Sequence, residues 1–149
     1  MQLKTYFLIV LLTIFITPSY AREDSECRYD PIPAISFIEL QSLDLTQRPP
    51  GPLTVKGKLS VPVKSYQSRR CYLPKQGLPA VVILHGSNGV DSRGDFYARA
   101  LNAEGIATLE IDMWEARGVT GVANRPPLPF FTYPDAFAAL TYLSSYPGY

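Results

Sequence analysis

The feature that most constrains this chain lies between Leu78 and Met113, where two short apolar runs flank a helix-length segment. Ala80, Val81, Val82, Ile83 and Leu84 are continuously apolar, with Pro79 before them and His85-Gly86 after. A strand with one face in water alternates polar with apolar residues. A run with no alternation reads as covered on both faces, the habit of a parallel sheet. Gly86-Ser87-Asn88-Gly89 supplies a tight turn, and Asp91 or Ser92 can cap the helix that follows. Phe96, Ala100 and Ala103, with Tyr97 and Leu101 beside them, stand at helical spacing and are expected to form its apolar side. Gly105 suits the position just past the last turn, where left-handed backbone is common. Ile106 to Ile111 then reads as a second strand, and two parallel strands need a crossover of this kind. The expected unit is β-turn-α-β.

Three chemistries place glycines in such a turn. A dinucleotide-binding turn requires G-x-G-x-x-G, and Asn88 occupies the place of the second glycine. A phosphate loop requires G-x-x-x-x-G-K-[ST]. Gly89 and Gly94 have that spacing, but Asp95 and Phe96 replace the lysine and the hydroxyl. The third ends its strand in His-Gly and uses a backbone N–H just beyond to hold an oxyanion. This one fits with no position broken.

Three stretches in order, VVILHGSNGV, DFYARALNAEGIATLEIDMWEARG and PDAFAALTYL, resemble the dienelactone hydrolase branch of the α/β-hydrolases, over roughly residues 34 to 149. The resemblance implies a three-layer α/β sandwich on a mainly parallel sheet, with Ala80 to Leu84 as a central strand, and hydrolysis of a small carboxylic ester or lactone without a cofactor or metal. It also implies that His85, Gly86, Ser87 and Asn88 form the oxyanion loop, with the Ser87 N–H as one of two donors.

Met1 to Ala21 reads as a secretory leader. Lys4 is its positive end, Tyr6 to Ile16 its apolar stretch and Ser19-Tyr20-Ala21 a small-x-small cleavage site. An N-terminal membrane anchor is the other reading, although the apolar stretch is shorter than the roughly 20 residues a span needs. The expected location is therefore exported, periplasmic or secreted, with residues 22 to 149 as one domain and no membrane association after cleavage. Losing the leader removes one base and no acid, so 13 basic residues meet 13 acidic ones. A neutral domain with no basic cluster beyond Arg69-Arg70 has no footprint for nucleic acid. Cys27 and Cys71 form an even pair in an oxidising setting, which suggests one disulfide; two free thiols are the alternative.

Between Pro31 and Pro62 the pattern is β. Ile35 to Leu40 and Leu53 to Val61 are expected to pair antiparallel at an edge of the sheet, with Pro49-Pro50-Gly51-Pro52 as the loop between them. Ser65 to Gly77 reads as a surface connection. Asp112 falls at the carboxyl end of its strand, where open α/β sheets place ligands. Trp114, Phe130, Phe131 and Tyr133 are candidates for a pocket wall, or else they bury the loop that carries them. Asp112, Glu115 and Arg117 read as a loop-fixing charge set. Pro134-Asp135 opens a second helix, with Phe137, Leu140 and Thr141 sharing a face with Ala136 and Leu143.

Acyl transfer on this plan needs a serine or cysteine on a G-x-S-x-G-like elbow, then an acid, then a histidine. None of the 10 glycines has Ser or Cys two residues on and Gly four on. The chain's one histidine, His85, precedes any possible nucleophile and reads as a turn residue shaping the oxyanion loop. No catalytic residue is assigned. The expectation is an N-terminal fragment, cut before the nucleophile strand, of an exported ester or lactone hydrolase. The alternative is a complete, non-catalytic binding or interaction module. Neither reading specifies an oligomeric state.

Overall fold

The computed structural model describes residues 29–64, 77–119 and 129–146. The leader, Cys27, Cys71 and residues 65–76 of the expected surface connection lie outside them, so the disulfide and export expectations are not addressed by the fold.

Two long strands come first, β1 (Ala34–Asp44) and β2 (Gly51–Val61), paired antiparallel from Ala34↔Val61 to Asp44↔Gly51. The turn between them is fastened by Asp44, whose carboxylate accepts from the Thr46 N–H at 3.0 Å, the Thr46 hydroxyl at 2.6 Å and the Gln47 amide at 2.8 Å. Asp side chains commonly bond backbone two residues on in this way and thereby close turns. β2 starts at Gly51 and takes in Pro52, so the proline cluster is only partly loop.

β3 (Ala80–Leu84), α1 (Ser92–Ala103) and β4 (Ala107–Asp112) follow, and β3 runs parallel to β4. A 3₁₀ turn at Glu115–Arg117, another at Pro129–Thr132 and the helix α2 (Tyr133–Ser145) complete the described elements. Among the described residues no helix is long and apolar enough to cross a membrane.

The strand order is β1-β2-β4-β3, with β2 and β4 antiparallel through Lys56↔Asp112 and Ser60↔Thr108. This overturns the expected mainly parallel three-layer sandwich. What forms is a small mixed sheet of four strands, mostly antiparallel, with two helices. The cause is the weight of the β1–β2 hairpin: its strands are 11 residues each against 5 and 6 for β3 and β4, and it joins β4 directly. Ala80–Leu84 is accordingly an edge strand, not a central one, with Val81 and Leu84 39% and 49% exposed. The strand covered on both faces is its neighbour: Ala107 to Ile111 of β4 are all buried, although Thr108 and Glu110 interrupt its apolar residues.

One helix lies against each face. Leu40, Val55, Leu59, Leu109, Ile111 and Met113 form the core with Ala139 and Leu143 of α2. Leu59, Leu109 and Ile111 are wholly buried, and each contributes about 1.5–3 kcal/mol relative to exposure. Against the opposite face α1 does not use the expected apolar side. Gly94, Ala98 and Asn102 face the sheet, while Phe96 and Tyr97 are 62% and 57% exposed. α2 buries Leu143 of its expected face together with Asp135 and Ala139, but exposes Phe137 and Leu140. Small and polar residues win the inner positions of α1 because the sheet face beneath is polar. The Ser60 hydroxyl donates to Asn102 Oδ1 at 2.5 Å, and the Asn102 amide donates to the carbonyls of Ser60 and Ile106.

Asp91 is the N-cap of α1, its side chain accepting from the Arg93 N–H at 3.0 Å. Gly105, at φ +77, takes the left-handed position after the helix.

At Gly94, α1 has no room for a side chain toward the sheet. A Cβ there would overlap the carboxylate of Glu110, which is 4% exposed and lies 3.2 Å from Lys58 Nζ. Burial alone would lower the Lys58 pKa, but its bonds to Asp95 and Glu110 outweigh that and raise it. Gly94→Ala should therefore destabilise the protein by about 1–3 kcal/mol through overpacking. That outweighs the roughly 1 kcal/mol by which alanine favours a helix over glycine. Urea unfolding of Gly94→Ala, Glu110→Ala and the double variant checks this, because truncating Glu110 makes room and the double change should cost less than the sum. A stabilised Gly94→Ala would refute the close approach.

Candidate functional site

Because β3 and β4 are parallel, their carboxyl ends point the same way. The His85–Gly89 turn and the Asp112–Trp114 turn therefore emerge side by side.

His85 ties them together. Its side chain is 2% exposed and both ring nitrogens are engaged. The Met113 N–H donates to Nε2 at 3.0 Å, so Nε2 is an acceptor, which assigns the proton to Nδ1, where it is donated to the Gly86 carbonyl at 2.8 Å. An imidazole held in this way fixes the start of the loop against the end of β4. It is not arranged to take a proton from a nucleophile.

Gly86 and Gly89 close the turn, the Gly89 N–H donating to the Gly86 carbonyl at 3.1 Å. Gly89 has φ +83, a conformation side-chain-bearing residues rarely adopt. Trp114 covers the turn. Its ring centroid lies 5.1 Å from that of His85, and its indole N–H donates to the Ser87 carbonyl at 3.4 Å.

Asp112 Oδ1 accepts from the backbone N–H groups of Trp114 and Glu115, each at 3.0 Å, and lies 3.7 Å from His85 Nε2. Asp112 thus caps the 3₁₀ turn that follows it. Glu115 reaches back to Lys56 at 2.6 Å, a pair with both side chains more than half exposed and so worth little to stability. Its bond to Glu115 raises the Lys56 pKa.

Arg117 turns the other way, into the protein. It donates to Asp135 at 2.6 and 3.3 Å, to the Met113 carbonyl at 2.9 Å and to the Phe131 carbonyl at 3.1 Å. The Ser42 hydroxyl donates to Asp135 at 2.5 Å. The expected charge set of Asp112, Glu115 and Arg117 therefore fixes this loop through three separate partners rather than as one cluster.

An open cleft of about 320 Å³ lies between the two turns. Asn88, Gly89 and Val90 form one wall and Asp112, Trp114 and Glu115 the other, with Gly118 and Val119 at the end. Of the oxyanion-loop residues read from the sequence, Asn88 lines this cleft, while His85, Gly86 and Ser87, the expected donor, are not among its lining residues. Of the pocket-wall candidates, Asp112 and Trp114 line it. Phe130 and Phe131 stack on each other at 4.2 Å, and neither lines the cleft. Sequence reading missed Glu115, Val90, Gly118 and Val119 as lining residues, although Val90 and Glu115 are sequence neighbours of residues it chose. It also missed Ser42, whose role depends on a helix more than ninety residues away. Among the described residues no group of three or more His, Cys, Asp or Glu is arranged to hold a metal ion.

No family model matches the chain, and no curated protein matches it. A solved structure of a hypothetical protein from Pseudomonas aeruginosa is similar at 19% identity and a TM-score of 0.49. The match covers 76% of this chain and 32% of that one, so the chain spans about a third of that protein's length. At that level of likeness the match adds nothing to the reading of the site.

Proposed function

We propose that these residues supply the oxyanion-binding loop of an exported carboxylic ester or lactone hydrolase similar to the dienelactone hydrolases. The small-molecule ester or lactone would sit in the cleft beside Asn88 and Trp114. The reading rests on the His85–Gly89 loop, not on the sheet architecture. The observation that carries it is the bracing of this loop: His85 bonds Met113 and Gly86, and Trp114 bonds Ser87, so the turn is fixed before any ligand arrives. Donors held in place cost no reorganisation when charge develops on a carbonyl oxygen, which makes such a loop effective in acyl transfer.

In this proposal the nucleophile and its base come from sequence beyond these 149 residues. The one histidine here is committed at both nitrogens, and a serine or cysteine without an adjacent base is a weak nucleophile.

The 149-residue chain alone is expected to turn over p-nitrophenyl acetate no faster than a denatured control. The chain extended along its own reading frame, through an elbow of the G-x-[SC]-x-G kind, is expected to turn it over. Absence of activity from the extended chain overturns the proposal. Activity of the 149-residue chain that disappears in His85→Ala overturns it too, because His85 would then be the base.

A further inference from the structure

The charge of the cleft bears on which esters it admits, an inference that rests on the hydrolase reading above. The titratable groups among its described lining residues are Asp112 and Glu115, both carboxylates. Among the described residues, the basic side chains nearby are directed elsewhere. Arg117 is buried against Asp135, and Lys56 is bonded to Glu115 from outside the lining. Arg93 is held by Asp91 at 2.5 Å, a contact that depresses the Asp91 carboxyl to about 2.

Glu115 thus has Lys56 in contact, and Asp112, opposite Lys56 in the β2–β4 pairing, shares that same ammonium at longer range, so the two carboxylates have one described cation between them. Both N–H groups that Asp112 caps bond Oδ1, and Oδ2 accepts no hydrogen bond from another described residue. The Asp112 side chain is a third exposed. Trp114 stands on the same wall, and an indole face attracts cations through its ring quadrupole.

We propose that this cleft selects esters carrying a positive charge or a hydrogen-bond donor on the alcohol part, and rejects those carrying a carboxylate there. Asp112 is the specificity-determining residue. A transient oxyanion does not conflict with this wall, because backbone N–H groups of the loop would hold it on the opposite side of the cleft.

Trp114 is the chain's single tryptophan, so its fluorescence reports on this cleft alone. The full 149-residue chain is titrated at low ionic strength with three esters of similar shape: acetylcholine, its uncharged isostere 3,3-dimethylbutyl acetate, and 4-acetoxybutanoate. The expected order of affinity is cation, then neutral, then anion. The gap from first to last should be about tenfold, because reversing the ligand's charge reverses the sign of its interaction with Asp112. The gap should shrink as salt is raised toward 0.15 M and above.

Asp112→Asn keeps an acceptor for the two N–H groups and should bring the three affinities within about threefold of one another. Anion binding equal to or tighter than cation binding overturns the charge selection and leaves the hydrolase reading standing. A cation preference that survives in Asp112→Asn overturns the assignment to Asp112. If none of the three esters perturbs Trp114, the cleft is not an ester site and both readings fall.

Discussion

Asp135→Ala should lower the unfolding free energy by about 3–5 kcal/mol, the usual consequence of removing one member of a buried ion pair. Asp135 has no exposed surface, and the side chain of Arg117 is 4% exposed. The pair joins three parts of the protein: β1 through Ser42, the 3₁₀ turn after β4 through Arg117, and the first turn of α2. Without the carboxylate the guanidinium stays inside with the carbonyls of Met113 and Phe131 as acceptors and no counter-charge nearer than Asp44, 4.0 Å from Nε. Domains of ordinary stability hold about 5–15 kcal/mol in total, so this one change removes a large share. Replacing both partners, with Arg117→Met and Asp135→Leu, should cost far less than the sum of the single changes, because no charge is then stranded. Urea unfolding of the four proteins measures both effects. An Asp135→Ala protein within 1 kcal/mol of the parent would show that the pair is not buried in solution.

On the proposed hydrolase reading, Ser87→Pro in the extended chain should reduce kcat about 10²–10³-fold, the loss expected when one oxyanion donor is removed. Proline deletes the backbone N–H, while Ser87→Ala keeps it and should leave kcat unchanged. The contrast separates the backbone from the hydroxyl, which no single variant can do. The bracing bonds of His85 involve Met113 and Gly86, so neither substitution removes a group that they use. Thermal unfolding of both variants controls for a loop that has lost its shape. Equal losses in the two would assign the effect to the side chain. No loss in either would remove Ser87 from the site.

Much of the local structure was legible in the residues. Asp91 as a cap, Gly105 as a stop and the parallel pairing of the two apolar runs follow from short-range rules. The strand neighbours did not. Continuous apolarity marks a strand that is covered, and Ala80–Leu84 carries that mark while standing at the edge, because β4 inserts between it and β2. The helix faces misled for a related reason. Hydrophobic spacing picks out Phe96 and Ala100, but the sheet face under α1 carries Ser60, Thr108 and Glu110, and that polar surface takes Gly94 and Asn102 instead. In the site, the His85-Gly86 turn and Asp112 were visible as motifs. The Arg117–Asp135 pair was not, since Asp135 reads as an ordinary residue near a helix start until α2 is laid over β1.

The β2–β4 pairing has a consequence for how the protein comes apart. β1 and β2 are neighbours in sequence, as are β3, α1 and β4, so each group can form from local contacts. Within the sheet the two groups meet along the line from Lys56↔Asp112 to Ser60↔Thr108. Neither has a core alone, because Val55 and Leu59 on one side of that line are buried together with Leu109 and Ile111 on the other. α2 spans the line on one face by packing against β1, β3 and β4, and on the other face Asn102 of α1 bonds Ser60. Opening one group strips the apolar surface of the other, and this mutual dependence makes the described region a single cooperative unit with one unfolding transition.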